Sequence, residues 1–234
     1  MMKKLFVGIC IPLLVLSLFA SLSFASNNGN AKIALHVASH VSKGQCGVAI
    51  VPATCSAIVP YNATAGGVSY DVYVCVYDFT EMSSLEIGIN YTESLTQGLT
   101  IWSWASCLSG AFELKSITPA WPAPASGIVV SPATCLTKTF NPSGDNEVVS
   151  IGYFYLTAYG TGGRLSIIGS PRASTAEITE CLVGGLGHTD VISGLTPSSL
   201  GFADFGSGGT GYKPGCGGVP VEGRTWGNIK ALYK

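Results

Sequence analysis

Apolar and polar residues alternate with period two through most of this chain, and almost nowhere with the 3.6-residue period of an amphipathic helix. In GVSYDVYVCVYDF (67–79), Val68, Tyr70, Val72, Val74 and Val76 share one face, with Ser69, Asp71, Tyr73, Cys75 and Tyr77 on the other. In SLEIGINYT (84–92), Leu85, Ile87, Ile89 and Tyr91 alternate with Glu86, Gly88 and Asn90. Such segments predict half-buried strands. The same signal predicts strands over 31–41, 98–105, 112–117, 127–131, 147–159, 164–168, 189–193 and 199–205, punctuated by Gly, Pro, Asn and Ser clusters. Only 174–182 and 225–234 carry patterns compatible with short helices. The expected fold class is all-β, an antiparallel β-sandwich of jelly-roll type.

The first 25 residues depart from this pattern. Lys3 and Lys4 precede an apolar run that ends in the small residues Ser23 and Ala25, the form of a secretory signal peptide cut before Ser26. The run is short for a membrane span and no basic stop-transfer cluster follows it, so no membrane association is expected once it is removed. Residues 26–234 are then expected to form a single secreted domain, extracellular or periplasmic, with a Gly-rich C-terminal segment from about 201 to 234.

Of 12 basic residues two lie in the leader, so the 13 acidic residues outnumber those that remain and the mature chain is slightly acidic. A basic patch for phosphates is lacking, which argues against a nucleic-acid partner. Charged residues are only 11% of the chain while glycines number 30, so Ser, Thr, Asn and Gly must cover much of the surface.

The tetrapeptide Pro-Ala-Thr-Cys occurs at 52–55 and again at 132–135. Superposing the two also aligns Gly47 with Gly127, Val68 with Val148 and Tyr73 with Tyr153, an internal similarity that leaves open whether the chain is duplicated. Beyond the leader there are seven cysteines. In an oxidising compartment six should be paired, and none has the Cys-x-x-Cys spacing of a zinc or redox site. Their order along the chain favours Cys46 with Cys55, Cys107 with Cys135 and Cys181 with Cys216, leaving Cys75 as a free thiol in mid-strand.

FTEMSSLEIGINYTESLTQGLTIWSWASC (79–107), followed by EVVSIGYFYLTAYGTGGRLSI (147–167), resembles the cohesin-like sandwich, a jelly roll related to carbohydrate-binding modules. The whole chain, with its end VEGRTWGNIKALYK, also looks like a group of uncharacterised secreted bacterial proteins. The resemblance implies a module that binds through one sheet face. It carries over no individual recognition residue, and the extra cysteines depart from the cohesin pattern.

Candidate chemistry is sparse. His36 and His40 would share a metal on a helix, but the alternation of Ile33, Leu35, Val37 and Val41 places them on a strand, roughly 13 Å apart, so no metal or cofactor is expected. His188 and Asp190 have no Gly-x-Ser-x-Gly elbow to serve. GSGGTG (206–211) spells a nucleotide fingerprint without the strand and helix that would make it one. Asp145, Asn146 and Glu147 lack the spacing of a calcium loop.

The aromatic residues are the better lead. Strict alternation puts Trp102 and Trp104 on one face, either packed in the core or exposed to a ligand, with the core favoured; Trp121 in PAWPAPA is expected to be the exposed ring. The function expected is that of a non-catalytic binding or structural module with a protein or glycan partner. The alternative is a glycosidase-like hydrolase whose carboxylate pair is hidden among the acids.

Overall fold

The computed structural model describes residues 28–47, 50–141, 144–181, 189–191 and 197–216. The leader, the 225–234 helix expectation and His188 lie outside the described residues. The strands are β1 (Lys32–Ser39), β2 (Tyr61–Asn62), β3 (Val68–Tyr77), β4 (Glu81–Met82), β5 (Ser84–Tyr91), β6 (Gly98–Ser106), β7 (Phe112–Lys115), β8 (Ser126–Ser131), β9 (Leu136–Thr137), β10 (Val149–Tyr159), β11 (Arg164–Ile168), β12 (Glu177–Thr179), β13 (Thr189–Val191) and β14 (Phe202–Phe205).

The segment 174–182, a candidate helix by pattern, instead contains β12, which pairs with β5 and β13. Its strand is only three residues long, too short for period-two alternation to show.

One sheet runs β1-β3-β10-β6. The other runs β13-β12-β5-β11-β14-β2, with β8 on the opposite edge of β5 and β7 beyond β8; β4 and β9 form a separate small ribbon. Among the described strands all ladders are antiparallel except the short β14–β2 contact. Between the two large sheets Val72, Val74 and Val76 of β3, with Phe154 and Leu156 of β10, meet Leu85, Ile87 and Ile89 of β5, all buried. This is the alternation of a sandwich whose two inner faces fill one core.

Strand β3 departs from the half-buried expectation, because its second face is covered too. Tyr73, Cys75 and Tyr77 are buried in a second small core with Ala34, Cys55 and Ile58. Residues 41–47 and 50–60 lie over them as a strap. Tyr73 donates its hydroxyl to the Gln45 carbonyl at 2.5 Å, and Tyr77 donates to the Pro214 carbonyl at 2.6 Å.

Disulfides tie this strap down, and the neighbour-to-neighbour pairing expected from chain order is wrong. Cys46 bonds Cys107, Cys55 bonds Cys216 and Cys135 bonds Cys181, closing separations of 61, 161 and 46 residues. The bridges join distant segments that the sandwich brings together, which order along the chain cannot reveal. Cys75 is free and buried beneath the strap, where burial pushes its thiol pKa up.

The two Pro-Ala-Thr-Cys segments play different parts. The first lies in the strap and bonds to the C-terminal segment, while the second follows β8 and bonds Cys181.

Ion pairs brace the second sheet. Glu86 is buried on β5, with Arg172 donating from Nε to Oε1 at 3.0 Å and from its terminal nitrogen to Oε2. Burial pushes the Glu86 pKa up, but the hydrogen bonds and charge of Arg172 outweigh it and leave the group below its ordinary range. Asp204, opposed in the same way by burial and by Arg164, is also lowered.

A folded-state pKa below the unfolded one gives stability that is present above the unfolded value, about 4, and is lost as pH falls through the folded value. The melting temperature is therefore expected to hold between pH 7 and 5 and to fall below about pH 4. Thermal scans of an Arg172→Met, Arg164→Met variant should show a shallower acid slope; an unchanged slope would remove these pairs as its source.

Candidate functional site

The strap covers only part of the outer face of the β1-β3-β10-β6 sheet. Beyond it a strip of side chains crosses all four strands, since the register places Asp71 between Ala38 and Tyr155, and Tyr155 beside Ser103; it is exposed at His40, Trp102 and Ser103 and buried at Asp71 and Thr157. Its side chains are His40, just past the end of β1, Ser69 and Asp71 on β3, Tyr155 and Thr157 on β10, and Trp102 and Ser103 on β6.

Trp102 faces outward because of a β-bulge. On β10, Tyr155 and Leu156 are consecutive, but their partners on β6 are Ser103 and Ile101, leaving Trp102 as the extra residue. Ile101 and Trp104 pack against the core, while Trp102 and Ser103 both point to solvent.

The two tryptophans are therefore on opposite faces, which corrects the expectation that they share one. Strict alternation holds only without an inserted residue. Trp102 is 51% exposed and donates its Nε1–H to Thr157 Oγ1 at 2.8 Å. Thr157 Oγ1 in turn lies 2.9 Å from Ser69 Oγ. The indole is thus anchored by one edge, with its ring surface open.

At the other end of the strip the His40 ring rests against Tyr155, centroids 4.4 Å apart. His40 Nδ1 lies 2.9 Å from Oδ1 of Asp71, and the Val41 backbone N–H donates to Oδ2 at 3.1 Å. With Nδ1 hydrogen-bonded to a buried carboxylate, Nε2 is the nitrogen left for other partners. His36 is separate: its Nδ1 accepts from the Val59 backbone N–H at 3.0 Å, and burial lowers its pKa.

Trp104 packs on Phe154 at 4.8 Å and against Trp121 at 5.5 Å, and donates Nε1–H to Glu113 Oε1 at 2.7 Å. Its indole lies over Gly152, where a Cβ would meet the ring at 2.6 Å, so only glycine fits. Trp121 is only 9% exposed and packs on Phe154, at 5.5 Å. Its expected exposure is therefore overturned: the Pro-rich loop cannot be a central strand, but it folds back so that Trp121 joins the main core.

Concavities lie elsewhere among the described residues. A cleft of about 310 Å³ runs beneath the strap between Val51–Ala53 and Val148–Ser150. Another, of about 280 Å³, lies beside β7 and is lined by Leu114, Ile117, Val129, Glu86 and Arg172. Glu86, which lines this second cleft, has Glu177 as its cross-strand partner, but both oxygens of Glu86 are held by Arg172.

The remaining sequence candidates serve as structure. Asp145 accepts from the Ser56 backbone and hydroxyl, Asn146 donates to Asp78, and Glu147 pairs with Lys138. The sulfurs that lie near Asp145 and near Glu81 are disulfide-bonded and offer no thiolate to a metal. Gly206–Gly211 follows β14 and leads into an isolated bridge at Tyr212 rather than a helix.

No protein-family profile matches the chain, and neither does any curated protein. Among solved structures it is similar to a cohesin module from a Clostridium perfringens family 33 glycoside hydrolase, at 11% identity and a TM-score of 0.40, over 75% of this chain and 98% of that one. So slight a likeness carries no argument about function. The sandwich is defined by its own strand pairings.

Proposed function

We propose that the protein is a secreted, non-catalytic β-sandwich domain, formed from residue 26 onward, that binds an extracellular protein or glycan through the open strip. Its place is the cell surface, an extracellular matrix or the periplasm. The observation that carries this reading is Trp102, a half-exposed indole on a flat sheet face, turned outward by a bulge and pinned by Thr157. A large ring left in water on a rigid strand forgoes the gain of burial, and such rings are enriched where partners dock. Three disulfides suit an oxidising compartment. Among the described residues no helix is long and apolar enough to cross a membrane.

The hydrolase alternative would rest on Glu86 and Glu177, and the Arg172 ion pair weakens it by occupying both Glu86 oxygens. The test compares retention of the secreted chain and its Trp102→Ala variant on intact cells and shed matrix. The variant is expected to lose at least about tenfold in affinity with an unchanged fold by circular dichroism. Equal retention would move the site off the strip.

A further inference from the structure

Resting on that reading, we infer that the strip is a glycan subsite for a short run of neutral sugar rings lying across the four strands from Trp102 to His40.

Four features of the strip select this ligand over a protein. The first is its shape. Three strand spacings separate β1 from β6, so the strip is ~14 Å long, and it is a face rather than one of the two clefts. An elongated, flat ligand fits it better than a compact one.

The second is its chemistry. Two aromatic rings, Trp102 and Tyr155, are set beside the exposed hydroxyl of Ser103 and the Nε2 edge of His40, with Ser69 and the buried Thr157 hydroxyl behind the indole edge. Sugars present an apolar C–H face bounded by hydroxyl groups, which both donate and accept. A stacked ring with hydrogen-bonding groups at its margin is the complementary arrangement.

The third is charge. Asp71 is buried and is met by His40 and the Val41 N–H, so no unopposed charge faces a ligand along the strip. Among the described side chains named in the strip none is a guanidinium or ammonium that would receive a uronic or sialic acid, whereas a neutral sugar needs none.

The fourth separates this strip from a protein-docking surface. Protein interfaces bury a cluster of apolar anchors in a desolvated centre. Here the exposed apolar matter is essentially one indole. The larger exposed apolar group, Phe112, Leu114 and Ile117, is on the other sheet.

The geometry also assigns roles. Trp102 is the stacking platform. Thr157 is a positioning residue, since its Oγ1 fixes the indole edge and is itself held by Ser69. His40 supplies the hydrogen-bonding edge at the far end, oriented by Asp71.

The experiment titrates the secreted chain with neutral hexasaccharides (cello-, chito-, manno- and xylo-oligomers) by calorimetry and tryptophan fluorescence. At least one is expected to bind with a fluorescence change. Trp102→Ala should abolish that change and weaken binding at least about tenfold, Trp102→Phe should restore part of it, and Thr157→Val should weaken it less while broadening the Trp102 signal. Binding insensitive to Trp102→Ala, or tighter binding of hexuronates than of neutral sugars, would overturn the inference. So would failure of every sugar at millimolar concentration. If the sugars fail while an extracellular protein is retained in a Trp102-dependent way, the glycan assignment falls and the binding-module reading stands. If neither is retained, both fall.

Discussion

Trp104→Ala is expected to cost the domain about 3–5 kcal/mol, whereas Trp102→Ala, two residues away on the same strand, should cost about 1 kcal/mol or less. Trp104 sits between Phe154 and Trp121 and over the bare backbone of Gly152, so truncating it removes its contacts with both rings and leaves the gap above Gly152 unfilled. It also strips Glu113 of its indole donor. Trp102 loses one hydrogen bond to Thr157 and contacts on one edge, in a place where water takes over. For a domain of this size the difference corresponds to a separation of roughly 10 °C in melting temperature. Scanning calorimetry of the two single variants decides it. Equal losses would mean that Trp102 is packed inside and that the bulge does not set its direction.

Removing the longest-range disulfide should act in two ways. A Cys55→Ser, Cys216→Ser variant is expected to lose about 2–5 kcal/mol, because the bridge constrains a very long loop of the unfolded chain. It should also uncover Cys75. In the intact domain that thiol lies under the strap and is kept protonated by burial, so a disulfide reagent should react with it only through rare opening. With the strap and C-terminal segment released, Tyr77 loses its cover at Pro214, Lys213 no longer has a fixed Cys55 carbonyl to meet, and labelling should accelerate many-fold. A Cys135→Ser, Cys181→Ser variant is the control: it loses stability too, but that bridge lies outside the small core that holds Cys75 and labelling should stay slow. Equal acceleration in both would show that Cys75 reports global unfolding instead of the strap.

The candidate site was legible only in part. Trp102 stood out as an aromatic residue on an alternating strand, but its direction depends on an inserted residue visible only against the partner strand. Strand alternation ruled out a metal shared by His40 and His36 but did not say what His40 meets. Its true partner, Asp71, is 31 residues away and becomes adjacent when β1 pairs with β3. Trp121 was misplaced because proline content excludes a central strand without saying whether a loop faces water or folds back.

What the sequence by itself determined is the all-β class and most strand positions, since period-two alternation is a local property that each segment carries whatever it later pairs with. The leader added the expectation of an oxidising compartment, and with it six paired cysteines and one left over. The tertiary structure alone decided which cysteines join, which sheet face stays open and which tryptophan points outward. Each of these depends on the register between strands far apart in the chain, and a one-residue insertion in that register reverses the direction of every following side chain.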